Sequence, residues 1–116
     1  MQQGISKVDA SKILRTVPFE QGFHFNTKNG VYTGITATSL TDFYMKLGTV
    51  DVNSVLFHYP RGDFQKWIQE VLGDKEFADQ LCFVESNIAG ENLRKDLSKM
   101  IEKRITELKT QIPFLS

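Results

Sequence analysis

His24, His58, Asp63 and Cys82 are the side chains from which this sequence would have to build a nucleophile, an acid–base pair or a metal site. Their spacing forms no motif. Zinc sites are made of paired ligands a few residues apart, and no His or Cys here has another within that reach, so neither a metal nor a cofactor is expected. Cys82 ends an apolar helix face beside Leu81 and Phe83 and reads as a small buried hydrophobe. His24 alternates with Phe23 and Phe25 on a strand and reads as facing solvent or a second layer. His58 stands just before Tyr59-Pro60-Arg61-Gly62-Asp63, a corner where two helix ends leave backbone donors and acceptors for polar side chains to satisfy. His58, Tyr59, Arg61 and Asp63 are therefore the candidate binding residues, and none is assigned as catalytic. The plain reading of the same corner is that His58 and Arg61 stitch it together.

Other functional readings lose to simpler ones. Arg61-Gly62-Asp63 spells a cell-adhesion tripeptide, but it places Asp63 where a helix cap is needed. Two short helices joined by Gly73-Asp74 suggest a helix-turn-helix. The second of them carries Asp74, Glu76 and Asp79 against Lys75 alone, which would repel phosphates, so no nucleic-acid partner is expected. The glycines stand singly at turns and helix ends, so there is no phosphate-binding loop. Aromatic side chains at helical spacing read as core before they read as a pocket.

These residues must be positioned by a chain of 116 residues with 14 Lys+Arg, 14 Asp+Glu and one Cys, which is enough for one core without disulfides. Residues 1–9 read as a loose tail and residues 10–116 as one globular domain. A short helix is expected from about Ala10 to Thr16, stopped by Pro18. Gly22 to Ala37 reads as a β-hairpin turning at Asn29-Gly30. A three-residue loop with Gly30 left-handed is preferred, because it gathers Phe23, Phe25, Val31, Thr33 and Ile35 on one face. The period then changes to that of helices. Ser39 caps Leu40, Phe43, Tyr44 and Leu47, with Gly48 closing; Asp51 caps Val52, Val55 and Leu56, with an end near His58 because Pro60 disfavours a helical Tyr59. Asp63 is expected to cap the clearest helix, whose stripe is Phe64, Trp67, Ile68, Val71 and Leu72 before Gly73. Asp74 caps Phe77, Ala78 and Leu81. After a link from Val84 to Ala89, a long amphipathic helix runs from about Glu91 to Gln111, with Arg104 where a strict heptad would want an apolar residue.

Two stretches also carry a resemblance: Phe23-His24-Phe25-Asn26-Thr27 with Ala37-Thr38-Ser39-Leu40, and Phe57 to Ile68 leading into Val71-Leu72-Gly73-Asp74. Over about residues 18–82 the chain resembles an uncharacterised family of small prokaryotic domains, well represented in archaea. The resemblance implies a domain type and a prokaryotic cytoplasmic setting, and no reaction.

The expected architecture is α+β: an N-terminal β-hairpin packed on a mostly helical layer, with a long C-terminal helix. No apolar run approaches the length of a membrane span and Met1 to Lys12 lacks the pattern of a signal peptide, so a cytoplasmic protein without a membrane partner is expected. The expected function is a non-enzymatic interaction or regulatory module whose partner is another protein or a second copy. The alternative is a small-molecule-binding or enzymatic domain using His58, Arg61 and Asp63. A homodimer is expected because the apolar stripe of the last helix is longer than its short neighbours are expected to cover, and because two strands leave edges that something must cover.

Overall fold

Ser6, not a residue near Ala10, starts the first helix. Its hydroxyl accepts from the Asp9 amide, and α1 (Lys7–Leu14) therefore begins earlier than the apolar spacing suggests, with Ile5 packed on the core beside it. The computed structural model describes residues 5–28, 30–84 and 90–112. The start of the expected tail, Asn29 of the turn, most of the link after Val84, and Phe114 lie outside them.

A 3-10 turn over Phe19–Gln21 leads into β1 (Phe23–Lys28), which pairs antiparallel with β2 (Val31–Ala37). The register is not the single one a three-residue loop would give, since two residues and not three separate the last pair at the turn. Phe23 faces Ala37 and His24 faces Thr36, but Asn26 faces Tyr32 and Lys28 faces Val31, with irregularities between these pairs. The extra residues of β2 include Gly34 at φ +86°, and Thr33 ties the bulge by donating to the Phe25 carbonyl and accepting from the Ile35 amide. Val31 consequently faces outward at 43% exposure, against the expected single apolar face, while Phe23 and Phe25 stay buried. Gly30 is left-handed, as the turn requires. Gly22 is needed for another reason: a Cβ there would lie 2.7 Å from both the Ala37 carbonyl oxygen and Thr36 Cγ2.

The helices follow their caps. α2 (Leu40–Leu47) starts at Ser39, and α3 (Val52–His58) starts at Asp51. Tyr59 keeps helical dihedrals and donates its amide to the Val55 carbonyl although Pro60 follows it. The helix stops because Pro60 has no N–H to continue the ladder, and Gly62 at φ +76° redirects the chain. α4 (Asp63–Trp67) continues into a π-helical turn, Ile68–Leu72, in which the Gly73 amide reaches back five residues to Ile68. α5 (Lys75–Leu81) and α6 (Gly90–Lys109) complete the fold. The molecule is α+β, with an N-terminal hairpin and a long C-terminal helix. Among the described residues no helix is long and apolar enough to cross a membrane.

One cluster of buried residues joins both strands and the helices from α1 to α6. Phe25 stacks on Phe43 at 5.5 Å, Phe23 meets Phe43, Phe64 and Trp67 edge-on or tilted, and the Trp67 indole N–H donates to the Gln21 carbonyl at 2.8 Å. The face of α6 that was expected to need a partner is covered within the chain: Leu93, Leu97, Ile101, Ile105 and Leu108 are all buried, against α1, α2, α3 and α5. The inward stripe of the helix is therefore covered, because four short helices together share its length.

Candidate functional site

α3 delivers His58 beneath the hairpin. The ring is 4% exposed and meets Phe23 at 4.8 Å, Phe57 at 4.9 Å and Phe64 at 5.6 Å. Both ring nitrogens are engaged. The Asn26 amide of β1 donates to Nε2 at 2.8 Å, and Nδ1 lies 2.9 Å from Asp63 Oδ2. A backbone N–H can only donate, so Nε2 must be the acceptor and Nδ1 must carry the proton given to Asp63. His58 is thus a neutral imidazole. Burial holds its pKa below the ordinary value, against the opposing pull of the Asp63 carboxylate.

Asp63 does not cap α4. Gly62 occupies the cap position with no side chain to offer, and the Asp63 carboxylate turns instead to His58 and to Arg61 Nε at 2.9 Å. Burial pushes the Asp63 carboxyl up, but the hydrogen bonds from His58 and Arg61 and the Arg61 charge outweigh it, and its pKa falls below the usual range. Arg61 stays largely in solvent, its guanidinium 4.7 Å over the Phe57 ring. Tyr59 points the other way: its buried hydroxyl sits 2.6 Å from both the Leu81 and Val84 carbonyls and shares one proton between them, fastening the end of α3 to the end of α5. Burial first, then the neighbouring Cys82, raises its pKa.

The structure therefore brings His58, Arg61 and Asp63 together and sends Tyr59 to a separate task. An Asp–His pair is also the base of many hydrolases, but there the far nitrogen must be free to take a proton from a nucleophile. Here that nitrogen is occupied by the strand backbone. Among the described residues no three His, Cys, Asp or Glu side chains gather as metal ligands. Cys82 is exposed, not buried, because α5 turns Leu81 inward and leaves Cys82 and Phe83 facing out.

Two groupings escaped the sequence reading. Arg104 of α6 is buried and forms a fork on Asp74, Nε to Oδ2 and Nη2 to Oδ1 both at 2.8 Å, while Asp74 also caps α5 at the Phe77 amide. The signal was a cation on an apolar stripe, which has to find an anion when buried. The second grouping lies on the hairpin's outer face. Thr36 Oγ1 contacts both His24 Nδ1, at 2.7 Å, and the Tyr32 hydroxyl, and the His24 ring lies between Phe19 at 5.2 Å and Tyr32 at 6.0 Å. Phe19 is 61% and Tyr32 46% exposed. A groove of about 770 Å³ runs along α5 and α6 beside Ile5, Gln80, Lys103 and Glu107, and none of the His58 corner residues lines it.

Comparison with models of known protein families, with curated proteins and with solved structures finds no match.

Proposed function

We propose that this protein is a non-enzymatic interaction or regulatory module that docks a partner protein on the outer face of its hairpin. The observation that carries the reading is the solvent-facing run of rings Phe19, His24 and Tyr32, the last two hydrogen-bonded to Thr36. Rigid aromatic side chains supply contact area at little conformational cost, which is why binding surfaces favour them. Against the enzymatic alternative stands the His58 corner, where neither ring nitrogen is available to a substrate. A second copy is the other occupant to consider, since β2 carries no charged residue that would repel its own image. The prokaryotic cytoplasmic setting belongs to the same proposal and rests on the residues that carry the family resemblance.

A random-peptide display selection on the immobilised protein, counter-selected on the double variant Phe19→Ala, Tyr32→Ala, tests it. Peptides that bind the wild type and lose at least tenfold in affinity for the variant, about 1.4 kcal/mol, are expected. An empty selection, or peptides indifferent to the variant, removes the hairpin face from the role. A wild type that sediments as a dimer, with a variant that sediments as a monomer, assigns the face to self-association instead.

A further inference from the structure

The free edge of β1 is closed by a side chain. Asn26 turns its N–H away from β2 toward α3, where a third strand would offer a carbonyl, and the acceptor it finds is Nε2 of His58. That acceptor differs from a carbonyl in one respect: it can be protonated. We propose that His58 is an acid-operated latch, in which one proton added at Nε2 breaks the bond to Asn26 and releases β1 from α3. The inference concerns the fold and stands whatever binds the hairpin's outer face.

The chemistry is one-sided. Protonated Nε2 is a donor and faces another donor, the Asn26 N–H, so that contact turns from attraction to repulsion. Nδ1–H keeps its bond to Asp63 and becomes the cationic half of an ion pair with it. The ring therefore stays with the helices, and the strand is the part that leaves. The charged groups that face His58 are Asp63, which favours the proton, and Arg61, which opposes it. β1 presents only Phe23, Phe25 and the Asn26 amide, and α4 adds Phe64. None of these aromatic groups can stabilise a cation as water does, so the closed latch disfavours the proton and the open one accepts it. The base of the hairpin keeps a tie of its own, from the Trp67 indole to the Gln21 carbonyl, so opening is local to the strand.

Native-state hydrogen exchange read at the Asn26 amide tests this on the full chain, with Ile101 in the middle of α6 as the reference. As pH falls below the ordinary histidine value of 6.5, protection at Asn26 is expected to fall, by up to about tenfold per pH unit for the one linked proton. The same exchange should be insensitive to sub-denaturing urea, which marks local opening, whereas Ile101 should respond to urea. The variant His58→Gln keeps an acceptor but no titration and should lose the pH dependence. Asp63→Asn, which removes the group favouring the proton, should move the onset to lower pH. Protection that stays flat with pH, pH dependence that survives in His58→Gln, or an Asn26 amide that follows the urea response of Ile101 would each overturn the latch.

Discussion

At the residue scale the most informative atom is Nε2 of His58. Sequence placed this side chain in a helix-ending corner and offered two roles for it; hydrogen-bond accounting fixes its proton, because the donor to Nε2 is a backbone amide and leaves a single tautomer. A histidine whose folded pKa is depressed contributes stability that is complete above its unfolded value and is lost as pH falls below it, since the unfolded chain then binds the proton the folded one refuses. Asp63 is also depressed, so its contribution persists to lower pH and is lost only below the ordinary carboxylate value of 3.8. The urea midpoint of the wild type should therefore drop as pH is lowered from about 7 to about 5, the range in which histidine titrates. His58→Gln should be flat over that interval and fall with the wild type only in stronger acid. A wild-type midpoint that rises on acidification would contradict the assignment of a neutral buried His58.

At the scale of elements, charged side chains decide how the helices meet. Arg104 reaches from α6 to the capping residue of α5, and Arg94 donates to the Leu47 and Val50 carbonyls at the end of α2. Asp74 is 3% exposed and accepts from two elements at once, so its charge has no water to fall back on. Arg104→Met preserves the volume and apolar contact of the side chain but strands that carboxylate. The expected loss is about 3–5 kcal/mol, the usual consequence of removing one member of a buried pair. Chemical denaturation checks it. A loss under about 1 kcal/mol would mean that water reaches Asp74 and that the pair behaves as a surface one.

For the whole molecule, α6 works as a lid on the core. It touches α1, α2, α3 and α5, and its inward residues from Leu93 to Leu108 form a continuous buried strip. A truncated chain ending at Ala89 would open that strip on four helices together, and losses of several large apolar contacts exceed the typical 5–15 kcal/mol of domain stability. The truncated chain should lack cooperative unfolding, and the emission of Trp67, buried in the full chain, should shift to that of a water-exposed indole. A truncated chain that melts cooperatively would show that residues 5–84 fold without the helix.

Local rules, read along the chain, determined the element order and most of the boundaries. Ser39, Asp51 and Asp74 each cap the helix they precede, and of the stripe Phe64, Trp67, Ile68, Val71 and Leu72 all but Val71, which is half-buried, are buried as the spacing requires. Caps and periodicity are short-range, so their residues lie within a few positions of what they organise. The hairpin was legible as a hairpin, but its register was not, because Gly34 permits a bulge whose direction depends on what Phe23 and Phe25 must reach across the core. The corner was legible as His58, Arg61 and Asp63; the use of Asp63 as an acceptor instead of a cap was not. That choice rests on Asn26, thirty-two residues before His58, arriving at Nε2 and fixing the proton on Nδ1. Likewise Arg104 could be seen to interrupt an apolar stripe, while its partner Asp74 lies thirty residues away and only packing brings them together. Contacts between distant residues follow from how the elements stack, and stacking belongs to the tertiary structure, which alone brought the backbone of β1 onto the ring of His58.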